Sequence, residues 1–186
     1  MRRLLLAPLA AILLLVTSGG TQAQMKNSAY DFEFEAIEGG KLPLSQWRNK
    51  VLLVVNVASF CGFTPQYEGL QKLWERYQSR GLVVMGVPAN DFGAQEPKSE
   101  GEILEFCQGA FGVNFPMTTK QTVVGGQAHP FYLWARDTLG LTSTPRWNFH
   151  KYLVGRDGKL IAGFGSSVTP LSDTMINAVE KALGAP

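Results

Sequence analysis

Two cysteines carry the reactive chemistry available to this 186-residue chain, Cys61 and Cys107. Cys61 lies in "NVASFCGFTPQ", where an apolar run gives way to what reads as a helix start. Three roles are open to it: half of a structural disulfide, a buried core thiol, or a nucleophile. The reactive form of a cysteine is the thiolate, and a helix N-terminus, with its free N–H groups and partial positive charge, favours that form. Gly62 and the Thr64-Pro65 pair imply a tight, accessible turn, whereas a structural thiol behaves as a small buried hydrophobe. Thr64 stands where a Cys-x-x-Cys motif would place its second cysteine, so no local dithiol exists for general disulfide exchange. The two histidines, His129 and His150, are isolated from each other and from both cysteines, which leaves no metal-ligand pattern. His129 precedes Pro130 and reads as a helix cap; His150 reads as a surface strand residue.

The elements that position Cys61 follow from periodicity. "KVLLVVNVA" is a Val-rich apolar run, as in a strand buried on both faces of an α/β sheet. "TPQYEGLQKLWERYQSRG" reads as a helix capped by Thr64, with Pro65 in its first turn, Gly81 at its stop, and Tyr67, Leu70, Leu73, Trp74 and Tyr77 on one face. "LVVMGVP" is a second buried strand. "ANDFGAQEPKSE" is a polar loop, and "SEGEILEFCQGAFG" is a short helix carrying Cys107 near its end. "HPFYLWARDTLG" gives another helix, "HKYLVGRDGKLIAGFG" a hairpin turning at Asp157-Gly158, and "LSDTMINAVEKAL" a closing helix. Ahead of all these, "YDFEFEAIEGGKLPL" alternates around Gly39-Gly40 as an N-terminal β-hairpin. The order predicts an α/β fold of thioredoxin-like type, a mixed central sheet flanked by helices.

Residues 1–23 are set apart. Arg2 and Arg3, an apolar core from Leu4 to Val16 and the small residues Thr21 and Ala23 make the three-part pattern of a secretory signal peptide, with cleavage expected after Ala23. The apolar core is short against the roughly 20 residues of a spanning helix. Residues 24–186 then form one domain, exported to a periplasmic or extracellular compartment where a Cys61–Cys107 bridge could persist. Removing Arg2 and Arg3 takes the Lys and Arg from 17 to 15, level with the 15 Asp and Glu. No basic block or aromatic-basic interleaving invites nucleic acid.

Three stretches decide among the roles of Cys61. "NVASFCGFTPQYEGL", "VPANDFGAQEP" and "RWNFHKYLV" resemble, in order and spacing, the three signatures of the glutathione peroxidase family, and the resemblance spans about Tyr30 to Leu183. It implies a peroxidase whose peroxidatic cysteine is Cys61, with Gln95, Trp147 and Asn148 completing the catalytic set. Singly, these three read as a loop residue, a packing aromatic and a turn residue; only the joint pattern lifts them. Chemically they are donors that do not titrate, suited to stabilising a thiolate and then a leaving oxygen. Attack of the thiolate on a peroxide O–O bond would leave a Cys61 sulfenic acid. Two residues depart from the family pattern: Phe60, where a basic residue is frequent, and Asp91, whose charge is expected to point away from the thiolate.

The resemblance also implies a use for Cys107. In many cysteine members a second cysteine at this position resolves the sulfenic acid to an intramolecular disulfide, which a thioredoxin-type protein then reduces. Gly109 and Gly112 would ease the unwinding that such a step needs. Glutathione is the alternative reductant, although no basic cluster near Cys61 is evident to receive its carboxylates. The short connection between the "HPFYLWARDTLG" helix and "RWNF" implies a monomer. No cofactor or metal is implied. A non-catalytic thioredoxin-fold binding module and a protein disulfide exchanger are the competing readings; the first requires the four site residues to be scattered.

Overall fold

The computed structural model describes residues 27–184, so the expected signal segment lies outside the described residues. The centre is a four-stranded sheet. Strands β3 (Val51–Val57) and β4 (Leu82–Pro88) pair in parallel, and β3 pairs on its other side with antiparallel β5 (Lys151–Val154), which pairs with β6 (Leu160–Phe164). A separate hairpin of β1 (Glu33–Glu35) and β2 (Lys41–Pro43) precedes the sheet. The helices are α1 (Gln66–Tyr77), α2 (Glu100–Phe111), α3 (Pro130–Leu139) and α4 (Asp173–Leu183). Hairpin, mixed sheet and flanking helices are as the sequence predicts.

Every residue of β3 and β4 is buried, because helices or the hairpin cover both faces. The two-residue period of a strand splits this burial into two cores. Val51, Leu53, Val55 and Val57 face α1, α2 and α4 through Tyr67, Leu70, Ile103, Cys107, Met175 and Val179. Leu52 and Val54 face α3 and the N-terminal segment through Phe131, Tyr132, Phe32 and Phe34. The parallel β3–β4 pair needs a crossover, and α1 supplies it with its buried face of Tyr67, Leu70, Leu73 and Tyr77.

Local signals hold at most helix ends. α2 starts at Ser99, whose N–H and hydroxyl both donate to the Glu102 carboxylate (3.0 and 2.6 Å), and ends at left-handed Gly112. His129 caps α3, its Nδ1 accepting from Phe131 N–H at 3.2 Å. Gly81 terminates the α1 region at φ 101°, after a short 3-10 extension. Two expectations are corrected. Thr64 does not cap α1, which begins after Pro65 without a side-chain cap; its hydroxyl is turned into the preceding loop instead. His150 is not a surface residue. It is buried, stacked edge-on to Tyr152 at 4.7 Å, and burial with the neighbouring Lys151 charge pushes its pKa down to about 4.

Candidate active site

Cys61 sits in the turn that joins β3 to α1, where the carboxyl end of a central strand meets a helix start. Its neighbours Phe60, Gly62 and Phe63 are exposed, but the cysteine itself is only 7% exposed and borders the core beneath α1. The accessible turn expected from sequence is therefore real in its flanks, with the thiol recessed between them. Phe63 N–H donates to Cys61 Sγ at 3.4 Å. Thr64 Oγ1 accepts from Cys61 N–H (3.0 Å) and donates to the Ala58 carbonyl (2.9 Å), pinning both ends of the turn.

The second motif is tied directly to this turn. Phe60 N–H donates to the Gln95 carbonyl at 3.0 Å. One residue either side, the Glu96 carboxylate accepts from Ser59 N–H (2.9 Å) and Ser59 hydroxyl (3.1 Å). Glu96 is fully buried, and burial raises its pKa despite those bonds. Gly93 and Ala94 both take positive φ (65° and 51°), the left-handed turn that presents Gln95. Asp91 turns away, as expected, and accepts from Val123 N–H at 3.2 Å.

The third motif meets the second through side chains. Asn148 Nδ2 donates to Gln95 Oε1 at 3.0 Å. That bond engages the carbonyl end of the Gln95 amide, so its NH2 end is the donor end. The Trp147 ring packs over Gly93, 3.6 Å from where a Cβ would stand, and against Phe92 at 5.9 Å between centroids. Trp147 is 37% exposed while Asn148 is buried. Gln95, Trp147 and Asn148 thus converge, and the Gln95 backbone joins them to the Cys61 turn.

Residues outside the four candidates hold this convergence. Asn56, on the strand leading to Cys61, donates from Nδ2 to the Trp147 carbonyl (3.2 Å), and its own carbonyl accepts from Phe149 N–H (2.6 Å). Phe149 is forced to φ 63°, an uncommon conformation for a bulky residue that is retained here beside Asn148. Ser166 hydroxyl donates to the Asn148 carbonyl (2.6 Å), and Gln66 Nε2 donates to the Ser166 carbonyl (2.7 Å). Fully buried Lys151 donates to Gln66 Oε1 (2.6 Å) and the Phe149 carbonyl (2.7 Å), so it bridges the first turn of α1 to the Asn148 segment. Burial pulls the Lys151 pKa down to about 7. The only sequence signal was a lysine inside an apolar strand run.

Cys107 lies in α2, fully buried against α1, and burial pushes its thiol up to about 11. The Tyr67 hydroxyl is beside it yet makes no hydrogen bond of ordinary geometry. Both cysteines are free thiols. Among the described residues no cluster of His, Cys, Asp or Glu could hold a metal ion, and no helix is long and apolar enough to cross a membrane.

The chain is similar to known proteins over most of its length. Residues 29–136 match the glutathione peroxidase family. The hydroperoxy fatty acid reductase gpx1 of Synechocystis is 43% identical over 169 residues, covering 87% of this chain and 99% of that protein. The glutathione peroxidase-like peroxiredoxin GPX5 of Chlamydomonas reinhardtii is 42% identical over 158 residues, covering 84% and 96%. Among solved structures, the apo form of Trgpx superposes with a TM-score of 0.68 at 35% identity, covering 86% of this chain and 97% of that one. A thioredoxin-family thiol:disulfide interchange protein from Chlorobium tepidum superposes at 0.60 with 15% identity, covering 82% and 93%, which reports the shared thioredoxin fold alone.

Proposed function

The chain belongs to the glutathione peroxidase family and is a peroxidase, and from that premise we propose that Cys61 is its peroxidatic residue, with Gln95, Trp147 and Asn148 as its catalytic partners. The observation that carries this reading is the Asn148–Gln95 bond, which joins two motifs distant in sequence, together with the Gln95 carbonyl held by Phe60 N–H. The Cys61 thiolate attacks one peroxide oxygen as the O–O bond breaks. The departing oxygen takes a proton and leaves as water or an alcohol, and Cys61 becomes a sulfenic acid. The Gln95 NH2, the Trp147 indole N–H and the Asn148 NH2 supply donors fixed before reaction, so no reorganisation is needed as charge moves to the leaving oxygen.

Hydrogen peroxide and organic or lipid hydroperoxides are the substrates in this reading. The exposed rings of Phe60, Phe63 and Trp147 offer an apolar rim to an acyl chain, which fits the relative named as a hydroperoxy fatty acid reductase. Cys107 resolves the sulfenic acid: its thiolate attacks the Cys61 sulfur, the S–S bond forms, the S–O bond breaks and hydroxide departs as water. A thioredoxin-type protein then reduces the disulfide, in keeping with relatives named glutathione peroxidase-like peroxiredoxins. The protein acts as an exported monomer.

Steady-state turnover with a thioredoxin system and with glutathione, run side by side, tests the reductant. Cys61→Ser should abolish peroxide consumption with either. Cys107→Ser should keep one stoichiometric round of consumption and lose thioredoxin-driven turnover. Full glutathione-driven turnover in Cys107→Ser would instead make Cys107 non-catalytic.

A further inference from the structure

Phe60 takes the place of a basic residue beside Cys61, yet a cation stands over it. Lys98 Nζ lies 5.2 Å from the centroid of the Phe60 ring and 4.4 Å from that of Phe106. Phe60 precedes Cys61 and Phe106 precedes Cys107, so one ammonium grips the neighbour of each thiol. The grip extends as a ladder. Phe106 packs edge-on to Phe111 (5.7 Å), and Phe111 packs on Tyr67 of α1 (5.4 Å). The post is firm behind the grip: the Lys98 carbonyl accepts from Lys120 Nζ at 2.6 Å, and Ser99 begins α2 with its N–H and hydroxyl both held by the Glu102 carboxylate.

The helix held by this ladder is otherwise weak. Gly101 and Gly109 lie inside it, and a side chain at either would meet nothing within 4 Å, so neither glycine is required by close packing. An interior helical glycine destabilises the helical state relative to alanine. Cys107 is packed in the core on this helix, and both cysteines are free thiols. In the resolving role given to Cys107 above, its way out of the core is an opening of α2.

We propose that Lys98 is a positioning residue for the resolving step: clasped between Phe60 and Phe106, it holds α2 closed over the Cys61 turn, and its release sets the rate at which Cys107 reaches oxidised Cys61. The proposal rests on the resolving role given to Cys107 above. It makes the two halves of the cycle separable, because peroxide reduction at Cys61 uses the closed helix and disulfide formation uses the open one.

Stopped-flow tryptophan fluorescence after mixing reduced protein with hydrogen peroxide reads both halves. The first phase scales with peroxide concentration; the second does not. Lys98→Met keeps an unbranched stem without the charge, and Phe60→Leu keeps the charge without the ring. Each should accelerate the second phase about fivefold, the scale of one lost cation–π contact. The double variant should gain no more than the faster single one. Lys98→Arg, which also stacks on rings, should restore the slow rate. Hydrogen exchange of the reduced protein gives a readout independent of the chemistry: amides of α2 should exchange faster in Lys98→Met and Phe60→Leu, while those of α4 keep their protection. An unchanged second phase with unchanged α2 exchange overturns the proposal. Cys107→Ser separates the two ideas. A second phase that survives in it overturns the resolving role and this proposal with it; one that disappears, yet is indifferent to Lys98, overturns the proposal alone.

Discussion

The bond from Asn148 to Gln95 gives the site its sharpest single-residue expectation. Asn148→Ala removes a donor and frees the Gln95 amide to rotate. The rate of Cys61 oxidation by peroxide should fall by about 100-fold, the usual cost of one fixed donor at a developing negative oxygen. Competition against a peroxidase of known rate measures it, and a change under threefold would remove Asn148 from the catalytic set. The two thiols should also differ in reactivity. Cys107 is fully buried with its pKa raised to about 11, so at neutral pH almost none of it is thiolate. Iodoacetamide followed by peptide mass spectrometry should label Cys61 first, with Cys107 at least about 100-fold slower in the reduced protein. Cys61, Gln95, Trp147 and Asn148 could be picked from the sequence as candidates because three motifs in order restrict each other. Glu96, Gln66, Ser166 and Lys151 were not. Each is an ordinary polar residue until its partner is known, and the Lys151–Gln66 bond spans 85 positions.

At the scale of elements, strands and helices were legible because their burial follows period: β3 and β4 read as unbroken apolar runs, and α1 as one apolar face. Thr64 misled because a hydroxyl before a helix has two uses, and here the Cys61 turn claims it. Helix α2 is the element whose weakness matters. Gly109→Ala should stabilise it by about 1 kcal/mol, since the added methyl meets open space. The disulfide-forming phase should then slow about fivefold, with the first phase unchanged. The β5–β6 turn behaves oppositely. Gly158 has φ 80°, and a Cβ there would collide with Ser28 Oγ and the Tyr30 ring, which the N-terminal segment lays across the turn. Gly158→Ala should cost about 2 kcal/mol, seen as a lower denaturant midpoint, with the N-terminal segment the first part to lose protection.

Across the whole molecule, two buried bases stand in succession where β5 begins, His150 just before it and Lys151 its first residue. Both have folded pKa values below their ordinary ones, about 4 and about 7, so the folded state binds fewer protons than the unfolded chain. Stability contributed by neutral His150 is present above about pH 6.5 and is lost as pH falls toward 4; for Lys151 the corresponding loss runs from about 10.5 down to 7. Between pH 6.5 and 5 the His150 share is about 1.5 kcal/mol. Urea titrations at those two pH values should show it, and His150→Gln should flatten the difference; an equal pH dependence in the variant would assign the acid loss to other groups. The topology of that same sheet has a further consequence, for order of assembly. Strand β3 gains β4 from the next stretch of chain, but its other neighbour, β5, arrives roughly a hundred residues later. A growing chain can therefore build the Cys61 turn and the Gln95 loop while Asn148 is still unmade. If Gln95, Trp147 and Asn148 serve Cys61 as proposed, their set is complete only when β5 closes the sheet, and oxidant sensitivity becomes a mark of finished folding. A chain truncated before residue 147 should carry Cys61 yet react with peroxide no faster than an ordinary thiol.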